Sequence, residues 1–110
     1  MINSNLSEYS TMTYDTDYGF FKFHKVGRLC SMYIANPKNL TANGSTTINI
    51  GVDQKFLSLF DNVWIFSTAN TTPDTIRVTF KPDGTLEVYN YSSSTGTFNI
   101  NDTVCYISKN

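Results

Sequence analysis

Apolar and polar residues alternate with a period of two over much of this chain, and that rhythm predicts strands. Residues 20–34 show it first. At their centre Gly27-Arg28 fits a two-residue type II′ turn, which requires glycine at its first central position. That turn sets Phe23 against Met32 and Phe21 against Ile34 on one face, with Cys30 beside Lys25. Lys22, His24, Ser31 and Tyr33 then occupy the opposite face. Asn36-Pro37-Lys38-Asn39 breaks the pattern, because proline offers no ladder donor and restricts the residue before it, and Asn43-Gly44 adds another turn signal. Alternation resumes over residues 46–52, with Ile48, Ile50 and Val52 on one side, which predicts a half-buried strand.

Residues 56–60 are apolar but too short to declare a period. Residues 62–69 are apolar on both sides, Val63 with Ile65 and Trp64 with Phe66, so the segment is expected to be covered on both faces, as a central strand or an interface strand. The clearest local signal is Lys81-Pro82-Asp83-Gly84-Thr85. Proline suits position i+1 of a type I turn and glycine supplies the left-handed residue after it, which predicts a three-residue hairpin loop with a bulge. Its register places Phe80 opposite Leu86, Val78 opposite Val88 and Ile76 opposite Asn90, while Thr79 meets Glu87 and Arg77 meets Tyr89 on the other surface. A two-residue Asp-Gly turn sets Phe80 against Glu87 and mixes the faces, so it is rejected. After a segment expected to be flexible at 91–96, Phe98 and Ile100 alternate, Asn101-Asp102 reads as a turn, and residues 103–108 close the chain as a strand.

Seven or eight short strands separated by turn signals, with no helical stretch between them, indicate an all-β protein: a jelly-roll-like antiparallel β-sandwich. The weakly periodic residues 1–18 are expected to form an N-terminal arm or first strand, and residues 19–110 the sandwich. Composition agrees, since the chain is 15% aromatic and abundant in Thr, Ser and Asn. Its 110 residues suffice for one core.

A net charge of −1 with scattered charges provides no basic stripe for a phosphate backbone, so nucleic acid is not an expected partner. No apolar run approaches the roughly 20 residues of a membrane span, and the first ten residues lack a basic, apolar leader. The expectation is a soluble, unprocessed chain without membrane insertion. Cys30 and Cys105 can close one long loop or remain two buried thiols, and the missing secretion signal favours thiols.

No enzyme chemistry stands out. His24 is the only histidine and lies on a predicted hairpin rather than beside a nucleophile turn. Two distant cysteines and one histidine cannot complete a structural zinc site. Asp15-Thr16-Asp17 offers two hard oxygens without the rest of a calcium loop, so it reads as a solvated turn and no metal or cofactor is expected. The remaining carboxylates fall mostly at turns, where aspartate serves local backbone hydrogen bonds. Phosphate-cradling and zinc-protease motifs are missing. The Asn-x-Ser/Thr triplets at Asn5, Asn39, Asn43, Asn70, Asn90 and Asn101 read as coincidence in so Asn-, Ser- and Thr-rich a chain.

Phe23-His24-Lys25-Val26-Gly27-Arg28-Leu29-Cys30 resembles the aromatic-x-Lys-Val-Gly-x-apolar-apolar hairpin of a small domain at the C-termini of phage tail-fibre, baseplate and minor structural proteins, especially in phages of Gram-positive bacteria. The resemblance continues through residues 44–51 and 76–89 and ends at Val104-Cys105-Tyr106-Ile107, which is similar to that family's closing strand. It departs between Gly51 and Trp64, where many relatives carry Leu-Pro-x-Gly-[Phe/Tyr]-x-Pro and this chain reads Val52-Asp53-Gln54-Lys55-Phe56. The resemblance implies a homotrimeric receptor-binding head on the virion tail tip, assembled in the host cytoplasm, that recognises a host cell-wall or capsule saccharide. A trimer would also bury Trp64 and Phe66 between protomers.

For a saccharide head the candidate ligand-binding residues are Arg77, Tyr89 and Tyr91, which the Pro82 hairpin turns away from the core, together with Trp64. Two other readings remain open: a non-catalytic trimerisation or capsid-decoration module, and a binding fragment of a longer depolymerase.

Overall fold

In the computed structural model, which describes residues 9–110, Gly27 takes a φ of 60° while Arg28 does not enter the left-handed region, as a type II′ turn demands. Strand β2 (Gly19–Val26) therefore returns as β3 (Leu29–Ala35) with Phe23 opposite Met32 and Phe21 opposite Ile34. Strand β1 (Tyr9–Thr16) adds to the far edge of β2, and β8 (Asn101–Ile107) adds to β3, completing a four-stranded antiparallel sheet, β1-β2-β3-β8.

The second antiparallel sheet comprises β4 (Gly44–Ile48), β5 (Asn62–Ser67), β6 (Thr75–Phe80) and β7 (Leu86–Asn90), in the order β4-β7-β6-β5. Strands β5, β6 and β7 form a meander and β4 lies beside β7, which is a Greek-key order. Among the described residues the chain changes sheet only after β3 and after β7, so their eight strands form a β-sandwich from two hairpin-rich halves.

Gly84 has a φ of 89°, Lys81 N–H bonds the Thr85 carbonyl, and β6 and β7 pair Phe80 with Leu86, Val78 with Val88 and Ile76 with Asn90. Phe80, Val78, Ile76, Leu86 and Val88 are all buried. They meet Phe21, Phe23, Met32 and Ile34 of the first sheet. Phe23 links the two sheets directly, its ring 5.7 Å from that of Phe80 and 5.8 Å from that of Phe56. Burying each such ring contributes about 1.5–3 kcal/mol. Phe56 reaches the core from a short 3-10 turn, Gln54–Phe56, begun by Asp53, whose side chain accepts from the Lys55 N–H.

Several sequence expectations are corrected by what the strands find to pair with. Strand β4 begins at Gly44 and ends at Ile48, because Ile48 pairs with Leu86, the first residue of β7, and the chain before Leu86 is hairpin loop rather than strand. Asn101-Asp102 is no turn: Ala35 and Ile34 take these residues as partners and start β8 there. Phe98 and Ile100 are buried but lie outside any strand, tied by backbone bonds to Pro37 and Asn36.

The largest correction concerns β5. It is an edge strand, not a central one, and its two faces differ. Phe66 is buried and Trp64 half-buried toward the core, so these residues are not outward-facing. Val63 and Ile65 point the other way and are 55% and 65% exposed. The cysteines are also split. Cys30 is buried while Cys105, beside it on the next strand but on the opposite face, is exposed, and both are free thiols.

Candidate functional site

The outer face of the second sheet is built by the Pro82 hairpin. Arg77 on β6 lies directly opposite Tyr89 on β7. The Tyr91 N–H bonds the Thr75 carbonyl at 3.0 Å, which extends the ladder past β7 and keeps Tyr91 on the same face as Tyr89. The sequence candidates Arg77, Tyr89 and Tyr91 therefore converge.

Their geometry is specific. The guanidinium carbon of Arg77 lies 5.5 Å from the Tyr89 ring centroid and 6.0 Å from that of Tyr91, within cation–π range of both. Arg77 Nη1 donates to the Tyr91 hydroxyl at 3.1 Å. The two rings lie 4.7 Å apart at 52°. Tyr89 donates its hydroxyl hydrogen to the Asn43 carbonyl at 3.2 Å, and Asn43, with a φ of 48°, bonds back to the Ser92 carbonyl. The turn before β4 thus braces one ring. Tyr91 is 49% exposed, so half of it remains open to solvent.

Arg77 makes no salt bridge among the described residues. The ion pair on this face is Lys81–Glu87 at 2.7 Å, and Lys81 holds the Glu87 carboxyl below its ordinary range, with the charge of Arg77 adding a smaller share. One of the five guanidinium N–H groups is given to Tyr91, and the others make no hydrogen bond among the described residues. Beside them, Ile65 is the β5 partner of Arg77, so the platform combines an aromatic pair, a cation and an aliphatic edge.

Trp64 does not join this group. It is half-buried on the other side of β5, with its ring 6.3 Å from that of Tyr106. His24 lies on the outer face of the first sheet, opposite Ser31, and its Nδ1 hydrogen-bonds the Tyr9 hydroxyl. Asp15, Thr16 and Asp17 form the β1–β2 corner, where Thr16 Oγ1 accepts from the Tyr18 N–H and donates to the Gly19 carbonyl.

Two features escaped sequence reasoning. Phe60, Val63 and Ile65 are exposed together at the β5 edge, 68% for Phe60. On the first sheet, Tyr9, Val26, Leu29 and Ile107 pair in register to make an exposed apolar row across all four strands. Apolarity on both sides of residues 62–69 was the available signal for the first; the second needed the strand order, which no local pattern encodes. The chain matches no family model, and no curated protein matches it.

Proposed function

We propose that the chain is the receptor-binding head of a phage tail fibre or baseplate, and that it takes a host cell-surface saccharide on the outer face of the second sheet. The observation that carries the reading is the exposed guanidinium of Arg77 set against the rings of Tyr89 and Tyr91 without a salt bridge of its own among the described residues. Tyrosine rings stack on the C–H face of a sugar and the free guanidinium N–H groups donate to its oxygens. The braced hydroxyl of Tyr89 reduces the ordering cost of binding. The resemblance of the Gly27 and Pro82 hairpins to tail-fibre heads supplies the virion context, and in it the head works as a homotrimer.

Adsorption to Gram-positive cells tests this. Fluorescently labelled protein should bind walls of the host and be displaced by its purified wall polysaccharide. Arg77→Ala and Tyr91→Ala should each lower the affinity by about tenfold, the loss of one charge-assisted bond or one stacked ring. Equal binding by both variants would remove the site.

A second reading, a structural module that serves assembly alone, is favoured by the exposed apolar residues Phe60, Val63 and Ile65 on and just before a strand that is a sheet edge among the described residues, a place where soluble proteins usually set charge or proline. Self-association with no displacement by any wall polysaccharide would select it.

A further inference from the structure

Among the described residues, strands β1 and β4 are edges of their respective sheets, and a groove of about 550 Å³ opens between the β1–β2 corner and the chain leaving β4. This volume lies within the range of small-molecule clefts. The groove's more buried lining is Ile48, Ile50 and the half-buried Tyr14 and Tyr18, all part of or packed against the core. Asp15, Asp17 and Asn49 line it from exposed positions.

The walls are pinned from behind. The Tyr14 hydroxyl accepts from the Asp53 N–H at 3.0 Å, Asn39 Nδ2 donates to the Asp17 carbonyl at 2.6 Å, and Thr16 Oγ1 closes the corner. Asn49 Oδ1 accepts from the Gly51 N–H, and its Nδ2 group makes no hydrogen bond among the described residues. Among the described residues, neither the carboxylates of Asp15 and Asp17 nor the Tyr18 hydroxyl takes part in a side-chain hydrogen bond or ion pair. The groove thus sets an aromatic and aliphatic wall beside polar groups that have no side-chain partner among the described residues.

We infer that this groove is a second saccharide site, separate from the Arg77 face, and that it takes a neutral, hydroxyl-bearing sugar ring. Sugar hydroxyls donate to the Asp15 and Asp17 carboxylates, Asn49 Nδ2 donates to a sugar oxygen, and the C–H face lies against Tyr18. Anionic sugars are disfavoured because both charged residues lining the groove are acidic, and Lys38 lines the adjoining hollow with Asp15 rather than the groove itself. The two faces thus differ in charge preference, a cation on one and carboxylates on the other.

The test is amide-resolved NMR of the isotopically labelled full chain with glucose, galactose, rhamnose and N-acetylglucosamine, each raised through the millimolar range, and with glucuronate as the anionic counterpart. At least one neutral sugar should shift the amides of residues 15–18 and 49–50 saturably, and glucuronate should not. The exposed double substitution Asp15→Asn with Asp17→Asn, which leaves the core untouched, should weaken that binding by about tenfold. Tyr18→Ala should abolish it. No shift of the groove amides by any neutral sugar, or equal shifts with glucuronate, would overturn the inference. Shifts confined to residues 77, 89 and 91 would also overturn it while leaving the Arg77 reading intact.

Discussion

Tyr106 on β8 donates its hydroxyl hydrogen to the carbonyl oxygen of Phe56 at 2.6 Å, inside the core. This bond ties the closing strand to the 3-10 turn that carries Phe56, while the Tyr106 ring packs edge-on against Phe80 at 5.2 Å. Tyr106→Phe keeps the ring and orphans a buried carbonyl, so it should cost about 1–3 kcal/mol. The midpoint of urea unfolding should fall while the slope is unchanged.

The two thiols should behave as different chemical species. Cys105 is exposed and should react with a disulfide reagent at once, whereas Cys30 is buried and should react only as the chain unfolds. Burial pushes both the Cys30 thiol and the Tyr106 phenol above their ordinary values. Groups whose folded values are raised stabilise the fold below their unfolded values and lose that contribution as pH rises. Stability should therefore decline from about pH 8.5 to 10 upward, where the unfolded thiol and phenol ionise. Equal reaction rates for the two cysteines would contradict their placement.

At the hairpin loop, Asp83 accepts from the Thr85 N–H at 2.9 Å and from its hydroxyl at 2.7 Å, and the Thr85 N–H bond foremost holds the Asp83 carboxyl below its ordinary value. A lowered folded value means stabilisation that is present above about pH 3.9 and lost as pH falls through the folded value. Asp83→Asn should flatten this acid limb of a stability-against-pH profile.

The glycine beside it is strained for any other residue. A Cβ on Gly84 would lie 2.9 Å from Leu57 Cδ2 at a φ of 89°. Gly84→Ala should cost about 1–3 kcal/mol by thermal or urea unfolding. An unaffected midpoint would mean that the loop has another conformation.

The apolar β5 edge predicts concentration-dependent association. Sedimentation should show oligomers for the native chain and monomer for Val63→Lys with Ile65→Lys, with stability changed by only about 0.5 kcal/mol because both side chains are exposed. A native chain that remains monomeric at every concentration would assign the patch no role in assembly.

Elements whose register is set by a nearby turn were legible in the sequence. Gly27 and Gly84 each sit in the left-handed region that their turns require, and the pairs Phe23–Met32 and Val78–Val88 follow from counting outward. The same counting brought Arg77, Tyr89 and Tyr91 to one face. What was not legible depends on strand order. Residues 62–69 are apolar on both sides whether central or at an edge; the order β4-β7-β6-β5 puts them at an edge, where Val63 and Ile65 lie outside and Trp64 turns inward. Asn101-Asp102 has turn chemistry, yet the open edge of β3 recruits it as strand. The groove beside Tyr18 joins residues some thirty positions apart and has no local signature.

The most direct measurement is the side-chain NMR signal of Arg77 Nε, followed with the ring signals of Tyr89 and Tyr91 while purified host wall saccharide is added to the full chain. Saturable shifts at all three, lost in Tyr91→Ala, are expected if this face meets the ligand. Signals that stay fixed while the protein still adsorbs to host cells would place recognition elsewhere on the molecule.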